Sequence, residues 1–324
     1  MSNKVLCTIP KSLFEKYCGR AKSYLEHEGF EVVLYQGEKV MTTEEIKAVG
    51  GDICAAILGC DAWTEEVFAA CPHLKVLARF GIGVESIDLD AAKRHGVMVC
   101  NARGMNSDSV AEMTLMLALA VNRNLINLDR TTREGGWLRN AGHNLHNKTY
   151  GLIGFGAIAQ NVAKLLKGFD MKRILAFDMM PNQAAADALG VTLTDLETVL
   201  RESDVISLHV PGTPTTRHMI NEDRLHQMKK DAVLINVARG VVVDESALVK
   251  ALKEKWIAGA GLDVYETEPT RPDNPLFALE NVVLSPHQAA DTHETFDAVC
   301  YFDAQVVVDV VKNGNRTPIN WINR

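Results

Sequence analysis

The chain has 324 residues, more than one hydrophobic core usually organises, so two domains are expected. Its 47% hydrophobic and 23% charged content is ordinary for a globular chain, and no apolar run approaches the roughly 18 residues of a membrane span. The formal net charge of -7 includes no block of lysine or arginine, which argues against a nucleic-acid partner, and Met1-Ser2-Asn3-Lys4 opens without a signal-peptide pattern, so a cytoplasmic location is expected.

From the N-terminus, short β-rich runs alternate with helix-like segments: Val5 to Ile9, Glu31 to Tyr35, Ile53 to Leu58, Lys75 to Arg79 and Val97 to Cys100. The alternation predicts a parallel α/β sheet. Ser109 and Glu112 then show capping-box spacing ahead of the apolar stretch Met113 to Val121, which predicts a long, mostly buried helix. The polar stretch from Asn122 to Lys148 reads as a connection. A second βα series starts at Thr149 to Ile153, and a new domain is expected near there. Its later strands are Arg173 to Phe177, Val205 to Leu208, Val233 to Val237, Ala258 to Leu262 and Asn281 to Leu284, each apolar throughout as a strand covered on both faces should be. Asp291 to Lys312 reads as a final long helix able to return to the first lobe.

Seven cysteines form no CxxC pair and most sit in apolar runs, so neither disulfides nor zinc are expected. His143 and His146 form an HxxH in a polar loop without an acidic or thiol partner, and no metal is expected.

Directly after the Leu152-Ile153 strand stands Gly154-Phe155-Gly156-Ala157-Ile158-Ala159, followed by a helical pattern with Ile158, Val162, Leu165, Leu166 and Phe169 on one face. This is a GxGxxA fingerprint in strand-turn-helix context. Gly154 and Gly156 would let the backbone turn tightly and approach a pyrophosphate, whose charge the helix N-terminus at Ala157 and Ile158 favours. Asp178 ends the next strand, where a carboxylate can accept from ribose hydroxyls; Met179-Met180-Pro181 follows without a cation for a 2′-phosphate. NAD is therefore expected rather than NADP.

Ligands of open α/β sheets bind outside the carboxyl ends of the strands. There the second series carries His209-Val210-Pro211, Val237-Ala238-Arg239-Gly240, Asp263 and Ser285-Pro286-His287, with Glu268 five residues past Asp263. Oxidation of a 2-hydroxy acid needs a base for the hydroxyl proton, a cation for the carboxylate and carbonyl, and a nicotinamide. His287 and Arg239 meet the first two needs, and a carboxylate such as Glu268 would tune the imidazole.

Val237 to Gly240, Gly261 to Pro269 and Ser285 to His287 together resemble the D-2-hydroxyacid dehydrogenase family, nearest its phosphoglycerate dehydrogenase branch. The resemblance extends to Arg79 to Val84, Asn101 to Glu112 and Ser207 to Pro211, and so spans nearly the whole chain. It implies hydride transfer between NAD(H) and C2 of a small 2-hydroxy or 2-oxo acid. It further implies Arg239 as substrate anchor, Glu268 as partner of the acid-base residue His287, and Asp263 near the nicotinamide. His209, Val210, Pro211, Val237 and Ala238 would line the cofactor, and backbone at Ile82 and Gly83 would hold the substrate carboxylate. The implied architecture is two doubly wound parallel-sheet domains, with a Rossmann cofactor domain (102–291) inserted into a flavodoxin-like substrate domain (1–101 and 292–324). A homodimer with the helix after Asn106 at its interface is implied too.

Two departures from the family pattern stand out: Ala159 replaces the third fingerprint glycine, and the chain ends at Arg324 without the C-terminal regulatory domain of some phosphoglycerate dehydrogenases, so serine feedback is not expected. Arg79 is the one obvious cation for a substrate phosphate, although a structural ion pair would account for it equally well, and Gly59-Cys60-Asp61 presents an acid nearby. Glyoxylate or hydroxypyruvate reduction is the alternative activity, and a catalytically idle NAD-sensing interaction protein is the alternative from another class.

Overall fold

The structure, a computed structural model, describes residues 2–324. It contains two compact units, one of Ser107–Ala290 and the other of the residues up to Asn106 and from Asp291 onward.

The discontinuous unit holds a parallel sheet of β1 (Lys4–Cys7), β2 (Glu31–Leu34), β3 (Ile53–Leu58), β4 (Val76–Arg79) and β5 (Met98–Asn101). Their order is β2-β1-β3-β4-β5, the flavodoxin-like arrangement. The central strand β3, Ile-Cys-Ala-Ala-Ile-Leu, is buried along its whole length, which only a strand covered on both faces can be. One cover is the final helix His293–Val311, whose Val299, Cys300, Ala304 and Val307 share a core with Val5, Ala55 and Ala78. Asp303 lies in this apolar layer with both carboxylate oxygens buried and unpartnered among the described residues. Burial therefore holds its carboxyl well above the usual carboxylate range.

The continuous unit holds β6 (Thr149–Ile153), β7 (Arg173–Phe177), β8 (Val191–Leu193), β9 (Val205–Leu208), β10 (Val233–Asn236), β11 (Gly259–Leu262) and β12 (Val282–Leu284). The order is β12-β11-β10-β9-β6-β7-β8, all parallel. This is the doubly wound dinucleotide-binding order with one strand added at the edge, and it reverses direction between β6 and β9, where a crevice opens beyond the strand ends.

Four details depart from the expectations. The new unit begins with the helix Ser107–Asn122 rather than near Thr149, because Val110, Ala111, Leu115 and Leu117 share a core with Tyr150, Leu152 and Ile235. A Cβ on Gly261 of β11 would stand 2.9 Å from Leu117 Cβ, so glycine there admits the helix. That helix starts two residues ahead of Ser109, which leaves Ser109 and Glu112 inside it and not in a capping box; Asp108 instead occupies the first turn, where the helix dipole favours it. The stretch read as a connection contains a helix, Leu125–Arg133, none of whose residues is buried. It is held locally by Arg133 Nε to Asp129 and by Thr132 Oγ1 to the carbonyl of Leu128. Finally, the sequence reading missed β8, a three-residue edge strand.

All seven cysteines are free thiols, and no helix among the described residues is long and apolar enough to cross a membrane.

Candidate active site

The fingerprint turn joins β6 to the helix Ala157–Leu166. Gly154 has φ +90°, and a Cβ on it would lie 2.7 Å from the carbonyl oxygen of His209, so both conformation and space require glycine. Gly156 is the opposite case: a Cβ there meets nothing within 4 Å. The helix above it has no acidic residue in its first turn, and its leading N–H groups lack helical acceptors. Open space over unpaired donors at a positive dipole end suits a pyrophosphate, so the residues present fit a dinucleotide. Ala159 is fully buried, as the third fingerprint position should be.

Asp178 lies beyond the end of β7 with one oxygen accepting from the N–H of Phe155 at 2.6 Å and the other from the N–H of Met180 at 2.7 Å. It therefore ties its own turn to the fingerprint, while each oxygen keeps a lone pair for a further donor. Met179 and Met180 beside it are 70% and 86% exposed.

At the switch point, His209 Nε2 and Ser207 Oγ are 2.8 Å apart, whereas His209 Nδ1 is buried without a partner among the described residues. Burial pushes this imidazole down to about 3, so it stays neutral. Val210 packs beside Gly154, and the carbonyl of Pro211 accepts from Thr216 Oγ1.

The chemistry-bearing turns follow β10 and β11 and flank β12. Buried Asn236 closes the turn after β10, accepting from the N–H of Ala238 at 3.1 Å and donating to the carbonyl of Arg239 at 3.0 Å; Val237 lies between them. Gly240 follows because a Cβ there would fall 1.8 Å from the carbonyl oxygen of Tyr265. Arg239 is thus seated against the 265–268 turn, and its Nη1 donates to the carbonyl of Ala238 at 2.8 Å.

Buried Asp263 accepts from Ser285 Oγ at 2.7 Å, Gln288 N–H at 2.8 Å and Ala289 N–H at 2.9 Å. Its carboxylate organises the turn on which His287 stands at φ +54°, a left-handed conformation that persists only where the surroundings impose it. His287 Nδ1 meets Glu268 Oε2 at 2.6 Å, and Glu268 Oε1 accepts from Tyr265 N–H at 2.9 Å. The hydrogen bond to Glu268 raises the His287 pKa above its ordinary value against burial and the Arg239 charge. Burial would raise the Glu268 pKa, but the bonds from His287 and Tyr265 N–H outweigh it and hold that carboxyl low. The imidazole carries Nε2 free to exchange a proton, with a guanidinium within electrostatic reach.

The remaining candidates belong to the other unit. Arg79 Nε donates to the carbonyl of Gly83 at 2.9 Å, its Nη1 to the carbonyl of Phe80, and its Nη2 lies 3.6 Å from Cys60 Sγ. Its guanidinium thus donates to carbonyls of its own loop and to no carboxylate among the described residues. The carbonyl of Ile82 accepts from Asn101 Nδ2 at 2.7 Å. No acceptor among the described residues takes the N–H groups of Ile82 and Gly83.

Sequence reasoning missed Asn236, Tyr265 and Ser285 as supports. Asn236 left a signal as the lone polar residue of an otherwise apolar strand, and Ser285 as a strand-end residue two positions before His287.

Residues 115–289 match the family described as D-isomer specific 2-hydroxyacid dehydrogenase, NAD binding domain. A glyoxylate reductase of Korarchaeum cryptofilum is 40% identical over 92% of this chain and 91% of its own. A D-3-phosphoglycerate dehydrogenase of Archaeoglobus fulgidus is also 40% identical, over 90% of this chain but 55% of its own. The apo-structure of D-lactate dehydrogenase from Escherichia coli superposes with a TM-score of 0.86 at 32% identity, covering 98% of both chains. Fold, fingerprint and relatives agree: the chain belongs to the D-isomer-specific 2-hydroxyacid dehydrogenases. It is an NAD-dependent oxidoreductase of that family.

Proposed function

We propose that the enzyme reduces a small, unphosphorylated 2-oxo acid of the glyoxylate or hydroxypyruvate kind, with His287, Glu268 and Arg239 carrying the chemistry. When bound, NADH supplies the two electrons. Protonated His287, held by Glu268, gives a proton to the oxygen that becomes the hydroxyl, and in the reverse direction the neutral imidazole takes it back. The observation that carries this reading is the 2.6 Å contact between His287 and Glu268, because a general acid near neutral pH needs the raised pKa that this partner supplies. The planar fork of Arg239 suits a carboxylate and a carbonyl together, and the unpaired N–H groups of Ile82 and Gly83 suit a carboxylate.

Two points move the substrate from the phosphoglycerate expectation to the reductase alternative. Arg79, the cation expected to meet a substrate phosphate, donates instead to carbonyls of its own loop. Glyoxylate reductases of Korarchaeum cryptofilum and Thermococcus kodakarensis are also each 40% identical to this chain, over 92% and 90% of it.

Asp178 accounts for NAD, since its carboxylate accepts from ribose hydroxyls and repels a 2′-phosphate. A homodimer completes the proposal. Met116, Leu125, Ile126 and Trp137 are 57%, 54%, 52% and 85% exposed on or just beyond the two helices that follow Asn106, an apolar surface suited to a second copy.

The test is NADH oxidation by the purified protein with glyoxylate, hydroxypyruvate and phosphohydroxypyruvate. Higher kcat/KM for the unphosphorylated acids is expected. Preference for phosphohydroxypyruvate would restore the phosphoglycerate reading, and no turnover of any 2-oxo acid would leave the NAD-sensing one.

A further inference from the structure

The turn carrying Glu268 is fastened to the segment carrying Arg239 by groups outside the acid-base pair. Glu266 Oε1 accepts from His218 Nε2 at 2.7 Å and from Arg217 Nη2 at 3.2 Å. The main chain of His218 donates to the carbonyl of Val241 at 2.8 Å, and that of Ile220 to Val242 at 3.0 Å, so residues 218–220 run beside the segment just past Arg239. On its other side Gly240 touches the carbonyl of Tyr265 closely enough to exclude any Cβ. The N–H of Glu266 donates to Glu245 Oε2 at 3.1 Å, and Glu245 Oε1 accepts from Asn274 Nδ2 at 2.9 Å.

This region is rich in carboxylates. The Tyr265 hydroxyl is pushed up to about 12, first by burial and then by Asp263, Glu268 and Glu245. Like charges so placed would drive the 265–268 turn apart, and Arg217 supplies an opposing charge at Glu266.

We propose that Glu266, gripped by His218 and Arg217, is a positioning residue that fixes the 265–268 turn against the Arg239 segment and so keeps Glu268 in line with His287. The inference rests on the acid-base reading of Glu268 and His287. The main-chain bonds to Val241 and Val242 and the bond from the Glu266 N–H to the Glu245 carboxylate remain when the Glu266 carboxylate is removed, so the loss falls on alignment.

The experiment compares Glu266→Ala and Glu266→Gln with wild type in kcat, in NADH affinity by fluorescence, and in the pH dependence of 2-oxo acid reduction. Glu266→Ala should lose on the order of 10- to 100-fold in kcat, the scale of a slight misplacement of catalytic groups. NADH affinity should be kept, and the alkaline limb should move to lower pH as Glu268 releases His287. Glu266→Gln keeps an acceptor for His218 and should recover most of the activity. If Glu266→Ala does not fold, His218→Leu, at a ring 33% exposed, carries the same test. Wild-type kcat and pH limb in the variant, equal damage by Ala and Gln, or a loss matched by weaker NADH binding would overturn the proposal. An inactive His287→Gln beside an unimpaired Glu266→Ala sinks the positioning role alone, whereas a fully active His287→Gln sinks the acid-base reading and this role with it.

Discussion

The main-chain oxygen of Asp263 accepts the N–H of His287 at 2.7 Å, while the carboxylate of the same residue takes Ser285 Oγ and two further N–H groups of that turn. One buried acid thus sets where the imidazole stands. Asp263→Asn puts an amide donor against these donors and leaves at least one unpaired, at a cost of about 1–3 kcal/mol. Melting temperature and kcat should fall together. An unchanged melting temperature would show that the turn does not depend on this carboxylate.

His287→Gln should behave differently, because glutamine keeps a polar side chain on an intact turn but cannot shuttle the proton. Turnover should drop by about 10²–10⁴, the usual worth of general acid-base catalysis, with NADH binding retained. Arg239→Lys should also be impaired, since an ammonium keeps the charge and loses the planar fork. Near-normal kcat/KM in either variant removes that residue from the chemistry.

Asp178 is expected to enforce the cofactor choice while bracing the fingerprint through Phe155 N–H. Asp178→Ser should narrow the gap between NADH and NADPH in kcat/KM and also lower thermal stability. Equal use of both cofactors by the unaltered enzyme would defeat the assignment.

Asp303 offers a test of stability independent of the site. Its folded-state pKa is raised, so the folded chain keeps a proton that the unfolded carboxyl releases above about pH 3.9. Stability from this group is therefore present at low pH and declines as pH rises toward the folded pKa. Asp303→Asn should flatten that decline in denaturant titrations run across pH. An identical slope in both proteins would mean the carboxyl has a partner in solution.

Much of the fold was legible because parallel strands buried on both faces, such as Ile53–Leu58, read as unbroken apolar runs. The helix Leu125–Arg133 was not, since it is one short segment with only Leu125, Ile126 and Leu128 apolar, set within a polar stretch. The fingerprint was readable because its residues follow one another directly at a strand-turn-helix junction, although the space that requires Gly154 is set by the distant carbonyl of His209. Arg79 stayed ambiguous, because a sequence does not say whether a guanidinium points at a ligand or at its own loop carbonyls. The tie between Glu266 and His218 spans 48 residues and depends on two loops meeting, which no local pattern encodes.

The pH dependence of kcat/KM for 2-oxo acid reduction, measured for wild type and Glu268→Gln, tests the acid-base pair most directly. Reduction uses the imidazolium, so wild-type activity should hold at low pH and fall as pH rises through the His287 pKa, which the hydrogen bond to Glu268 raises above its ordinary value. In Glu268→Gln the same fall should come at lower pH, with NADH affinity unchanged. Coincident limbs in the two enzymes would contradict the account.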